Sequence, residues 1–288
     1  MSVPEIISTC WTTAGNAVPL PGQDKSPIAL RDRITAAAAA GFTGFGLMHV
    51  DLAAFLEQGD LKTLHSMFAD NGITVVELEF LTGWWADGAA RAESDQVLDL
   101  LLRASEVLRP HHVKVGPDIT GGDYDEGRWA AEFARVSAAF AAAETPVALE
   151  FMPFSNVSTL SKAVSLVKHA GHENGGLMLD LWHLYRGAGT LAEVAALPLE
   201  LVKGVELDDG DARQVGDGYT DTIHRRKLCG EGVFPVEDFI RTVAGLGWTG
   251  PWGLEILSES YRMRPLNESL PEAYRTTAAA FAKAGVAS

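Results

Sequence analysis

Pro146-Val-Ala-Leu-Glu150-Phe-Met-Pro153 is a short apolar run that closes on a carboxylate. Runs of this length between turn residues read as fully buried strands. An ionised carboxylate is almost never buried unless it is paired or binds a metal. The same pattern returns in Leu177-Met-Leu-Asp180, Gly204-Val-Glu206-Leu207 and Trp252-Gly-Leu-Glu255-Ile256. Outward from these, strand-like runs fall at 5–12, 43–48, 73–80, 111–116, 146–151, 176–181, 202–207 and 253–257. Helical runs fall between them at 27–40, 61–71, 89–108, 126–143, 157–169, 191–196 and 235–246, with a last one at 268–284. Ser26 before Pro27, and Ser155, stand where helix starts are expected, and Gly41, Gly171 and Gly247 where helices end. Eight alternating units without a Pro/Gly/Ser-rich linker predict an α/β fold, a (β/α)8 TIM barrel, as a single domain over residues 1–288. No G-x-G-x-x-G follows the first run, which argues against a dinucleotide fold.

The chain has 288 residues, 47% of them hydrophobic, so a large core is expected rather than disorder. Lys+Arg number 23 and Asp+Glu 38, a net charge of −15 that repels phosphate backbones and argues against nucleic acid as a partner. Two cysteines, Cys10 and Cys229, form neither a disulfide framework nor a zinc cluster. Met-Ser-Val-Pro-Glu carries no basic region before an apolar stretch, and the run 34–50 is broken by Gly41, Gly44 and Gly46. No membrane span is expected, and a cytoplasmic setting is the default.

In such a barrel the active site lies at the C-terminal ends of the strands. Trp11, His49, Glu77 or Glu79, Lys114, Glu150, Asp180 with His183, Glu206 with Asp208 and Asp209, and Glu255 stand there. Four carboxylates on adjacent strands would repel one another without a cation, and oxygen donors favour a hard divalent ion such as Mn²⁺ or Mg²⁺. Trp84 and Trp85 read either as a stacking surface for a sugar ring or as loop packing. His49 reads either as a buried core histidine or as a cavity residue. Lys114 reads either as a holder of an anionic or keto group or as a salt-bridge partner. His224-Arg-Arg-Lys227 is the basic cluster of an acidic chain, read as solvated at Arg225 and Lys227, with Arg226 facing substrate or pairing with Glu231. Arg213 reads either as reaching a substrate hydroxyl or carboxylate or, in preference, as pairing with Asp209 or Asp211. No phosphate-binding glycine motif is evident, which leans to a non-phosphorylated substrate.

Leu-Glu150-Phe-Met-Pro, Asp180-Leu-Trp-His183, Val-Glu206-Leu-Asp208, Arg226-Lys-Leu-Cys-Gly-Glu-Gly232 and Leu-Glu255-Ile together resemble the xylose isomerase-like TIM-barrel superfamily, the sugar phosphate isomerase/epimerase group. The resemblance covers nearly the whole chain. It implies one divalent ion, Mn²⁺ with Mg²⁺ or Co²⁺ as alternatives, on Glu150, Asp180, Glu206 and Glu255. The strand-seven ligand is usually histidine in the epimerases, and Glu206 departs from this. The resemblance also implies that Glu150 and Glu255 move protons on opposite faces of the substrate, with His183 at the substrate oxygen. Arg226 matches the arginine of the group's R-x-L-P-G-E-G loop, with Cys229 in the proline position. Substrate contacts are thus expected at His183, Arg226, His49, Trp84 and Lys114. The implied activity is a metal-dependent sugar isomerase or epimerase working through an enediolate. The alternative is a lyase on a keto-sugar or keto-cyclitol, of the dehydratase or C-glycoside-cleaving type. A repair endonuclease of the same group needs a histidine-rich site and a basic groove, which 8 scattered histidines and the charge do not supply. A non-enzymatic binding protein would have no use for the four acids. Relatives of this kind are often oligomers, so a homo-oligomer is an expectation by analogy.

Overall fold

The computed structural model describes residues 3–287. Met1 and Ser2, the start of the stretch examined above for a leader, lie outside them, as does Ser288. Eight parallel strands close into a barrel in chain order. They are β1 (Ile6–Ser8), β2 (Gly44–Met48), β3 (Val75–Leu81), β4 (His112–Val115), β5 (Val147–Glu150), β6 (Gly175–Asp180), β7 (Val202–Leu207) and β8 (Trp252–Leu254). All residues of β5 and β6 are buried, as expected of strands enclosed on both faces. Among the described residues no helix is long and apolar enough to cross a membrane.

Two strands stop earlier at the mouth than their apolar runs predict. After β1 the chain turns into a short helix, Cys10–Thr13, and β8 ends at Leu254. A side chain replaces the ladder there: Thr12 Oγ1 donates to Leu254 O at 2.6 Å and accepts from Ile256 N at 3.0 Å. Further short helices follow other strands, at His49–Leu56, Leu181–Arg186 and Gly218–His224. The expected serine caps move. The first long helix begins at Leu30 rather than Pro27, and Ser26 instead donates its hydroxyl to Ala14 O and its N–H to the Asp51 carboxylate, both at 2.9 Å. Thr159, not Ser155, caps the helix Leu160–Ala170 by accepting from Lys162 N. Gly41 at φ 107° and Gly171 at φ 63° close their helices in the left-handed region, as read. Gly46 is fixed by a close approach: a Cβ there would lie 2.6 Å from Cys10 N and 2.8 Å from Glu77 Oε1. The turn after β1 and a buried acid of β3 thus meet over a residue without a side chain.

The barrel interior is polar toward the start of β4. His111 Nδ1 lies 3.0 Å from His112 Nδ1, and His112 Nε2 lies 2.9 Å from Glu77 Oε2. Burial pushes both imidazoles down to about 3, and burial raises Glu77 well above the usual carboxylate range. His111 and His112 are thus hydrogen-bonded as neutral rings beside a neutral carboxyl. His111 therefore takes up a proton below pH 6.5 only when the chain unfolds. Its stabilising contribution is complete above that pH and is lost as the pH falls. At about 1.4 kcal/mol per pH unit, the stability gap between wild type and His111→Asn should shift by about 2 kcal/mol toward the variant on going from pH 6.5 to pH 5. Urea unfolding at the two pH values measures this, and a constant gap would mean a protonated imidazole in the fold.

Candidate active site

Neighbouring strand ends bring the acids together by register. Asp180 pairs across with Glu206, and Glu206 with Gly253. Glu255 follows β8 directly and donates its N–H to Leu207 O at 3.0 Å. Asp180 is also the N-cap of Leu181–Arg186: its Oδ1 accepts from Trp182 N at 2.7 Å, which turns Oδ2 inward. That helix carries His183 to the same place, with Nε2 3.4 Å from Glu150 Oε1 and 3.5 Å from Asp180 Oδ2.

Two buried cations lie among these acids. The Nζ of Lys114, on β4, is 2.7 Å from Glu206 Oε1, 2.9 Å from Glu255 Oε1 and 2.9 Å from Glu79 Oε2. An ammonium has three hydrogens, and all three have carboxylate acceptors, so none is left for a substrate oxygen. Arg226 pairs with Asp180 Oδ2 and Glu255 Oε2, each at 2.9 Å, and with Asp208. It does not pair with Glu231. Its loop is held by one side chain: Asp209 accepts from the N–H groups of Gly210, Gly230, Gly232 and Phe234. Asp209 is thereby engaged, Asp211 pairs with Lys227, and Arg213 is exposed, so the expected Arg213 pairing does not form.

The acids still outnumber the cations. Glu77, Glu79, Glu150, Asp180, Glu206, Asp208 and Glu255 are all buried, against Lys114 and Arg226. Burial and neighbouring charges set the titration of five of these acids. Burial and the Glu255 charge raise Glu206, burial and the Asp180 charge raise Asp208, and burial lifts Glu255 to about 7 against Lys114 and Arg226. At Asp180 burial is outweighed by Arg226 and His183, which hold it below the usual carboxylate range. At Glu79 burial is outweighed by Lys114.

Glu150, Asp180, Glu206 and Glu255 each offer one oxygen within 4.8 Å of the others, and Glu150, Asp180 and His183 form a second such group. Glu206 Oε2, Asp208 Oδ1 and His183 Nδ1 are buried without a hydrogen-bond partner. Convergent oxygens, an orphaned acceptor and surplus negative charge fit a hard divalent cation.

Above the acids opens a cavity of about 390 Å³. Its floor includes Glu79, Lys114, Glu150, His183, Arg226 and Glu255, and its walls include Trp11, Phe80, Trp85, Phe154, Tyr219 and Leu257. Two expected substrate contacts lie elsewhere. Trp84 is completely buried, packs on Trp129 and Phe133, and donates its indole N–H to Gly116 O at 2.8 Å. Its neighbour Trp85 borders the cavity instead and stacks on Trp129 at 4.5 Å. His49 begins a helix and does not line the cavity; its Nδ1 accepts from Phe80 N at 3.3 Å, and burial lowers its pKa, consistent with a neutral acceptor. Phe80, Phe154 and Tyr219 were missed. Phe80 directly follows Glu79, a position that the strand-end rule marks, whereas Tyr219 lies on a helix beyond β7 without a local signal. Both cysteines are buried, and burial raises their thiols.

A family model described as a xylose isomerase-like TIM barrel matches residues 34–284. A 3-dehydroshikimate dehydratase of Pseudomonas aeruginosa is 25% identical over 252 residues, covering 86% of this chain and 39% of the dehydratase. The chain thus spans about two-fifths of the length of that relative. An inosose isomerase of Halalkalibacterium halodurans is 26% identical over 133 residues, 46% of each chain. Among solved structures, an IOLI protein with a zinc atom bound superposes with a TM-score of 0.84 at 17% identity, covering 97% of this chain and 98% of that one. From the extent of the family match and the barrel that carries it, the chain belongs to the xylose isomerase-like TIM-barrel family.

Proposed function

We propose that the protein is an enzyme that removes a proton from the carbon beside a ketone of a small carbohydrate-like substrate. A proton is then delivered to the opposite face by the second carboxyl group, or to the neighbouring carbon, as in an epimerase or isomerase. The observation that carries this reading is the pair Glu150 and Glu255, two buried carboxylates from strands three apart that open on one cavity. Carboxylates reaching a substrate from different sides are what proton removal and return on different faces require. Burial, by lifting Glu255 to about 7, makes it a stronger base than an exposed glutamate, matched to neutral pH. Glu150 faces His183, which lies in the same cavity floor and is placed to donate to a substrate oxygen. Arg226 adds positive charge to that floor.

Glu150, Asp180, Glu206 and Glu255 would hold one hard divalent ion such as Mn²⁺. Such an ion, when bound, supplies electrophilic stabilisation of negative charge that develops on the substrate oxygens. The apolar walls exclude water from the proton-transfer step.

A second reading is favoured by the likeness to a dehydratase over 86% of this chain. The first proton removal is the same; a hydroxyl on the next carbon then leaves as water. Incubation in deuterated water with inosose and, separately, with 3-dehydroshikimate distinguishes the two by NMR. Deuterium appearing beside the ketone without dehydration is the expected result. Loss of water would establish the second reading. No exchange and no elimination on either ketone would overturn both.

A further inference from the structure

An ion centre built from Glu150, Asp180, Glu206 and Glu255 has no need of a lysine, yet Lys114 sits among them, 1% exposed. Two of its three acceptors, Glu206 and Glu255, belong to that centre; the third, Glu79, does not. Glu79 is itself anchored from the far side, where Cys10 N donates to its Oε1 at 3.1 Å. The ammonium and a divalent ion therefore compete for the same two carboxylates, and Glu79 gives the ammonium a partner it keeps when the other two are taken. Its Nζ is enclosed by three carboxylates at 2.7–2.9 Å, which points to an electrostatic role.

We propose that Lys114 is a positioning residue and the built-in counter-ion of the centre: it holds Glu206 and Glu255 in place when no ion is bound, and it sets ion affinity by competing for them. The arrival of the ion displaces the ammonium toward Glu79. This inference rests on the ion-holding part of the proposed function. It makes the bound ion exchangeable and the fold independent of it.

The test uses the full chain stripped with a chelator, with Mn²⁺ titrated calorimetrically and thermal melting followed with and without Mn²⁺. Mn²⁺ is expected to raise the melting temperature of wild type, but by less than it raises that of Lys114→Met. Lys114→Met is expected to melt lower in chelator, to recover with Mn²⁺, and to bind Mn²⁺ about tenfold more tightly or better. A lysine with a merely structural role predicts the opposite sign, weaker binding in a loosened site. Glu79→Gln supplies an independent measurement should Lys114→Met fail to fold. With its third partner weakened, the ammonium holds Glu206 and Glu255 harder, and Mn²⁺ affinity should fall severalfold. Unchanged affinity in the variants, with Mn²⁺ bound by wild type, overturns this proposal alone. Absence of Mn²⁺ binding in all three proteins overturns it together with the ion-holding part of the proposed function.

Discussion

Glu255→Gln is expected to lower the rate of proton exchange beside the ketone by about three orders of magnitude, within the range that positioned acid–base groups contribute. The amide has nearly the volume of the acid and keeps an acceptor for Lys114 or Arg226, so the barrel should survive. What disappears is the ability to take up and release a proton at a carboxyl group that lines the cavity. The variant also removes one negative charge from a region where acids outnumber cations, which limits the cost in stability. Exchange measured by NMR beside a thermal melt separates the two effects. Undiminished exchange in a folded Glu255→Gln variant would falsify the assignment of Glu255 as a proton carrier.

Arg226→Met is expected to cost about 3–5 kcal/mol of stability, the scale observed when one partner of a buried ion pair is removed. Arg226 is 1% exposed and ties Asp180, Asp208 and Glu255 together. Without it these carboxylates face one another with Lys114 as the remaining permanent cation nearby. Asp208 would be worst placed, since its Oδ1 already lacks a partner. Arg226→Lys keeps the charge but loses the planar fork, so an intermediate loss is expected. Urea midpoints measure both variants. A loss below about 1 kcal/mol for Arg226→Met, the level of an exposed pair, would show that the acids accommodate one another by protonation.

The barrel was legible because a strand buried on both faces reads as an uninterrupted apolar run. The run 202–207 coincides with β7, and β5 and β6 lie within a residue or two of their runs. The short helices His49–Leu56 and Leu181–Arg186 were not legible, because so few turns carry little periodicity and both begin directly at a strand end. Glu150, Asp180, Glu206 and Glu255 could be placed together because each ends a run, and strand order then fixes their convergence. The position of Lys114 was readable, but its partners were not. Which carboxylates an ammonium meets depends on barrel closure, which brings β4 opposite β7 and β8. Trp84 and Trp85 show the same limit at the scale of one peptide unit. Nothing in Thr-Gly-Trp-Trp says which indole turns inward and which borders the cavity.

That pair of indoles gives the protein an optical reporter of its own. Trp85 borders the cavity while stacking on Trp129, and Trp84 meets both. Trp11 lies on the cavity wall as well. A ligand that fills the space changes the surroundings of two emitting rings and, through the stacked set, of two more. Intrinsic fluorescence should therefore register occupancy without a label, even for compounds that are bound but never turned over.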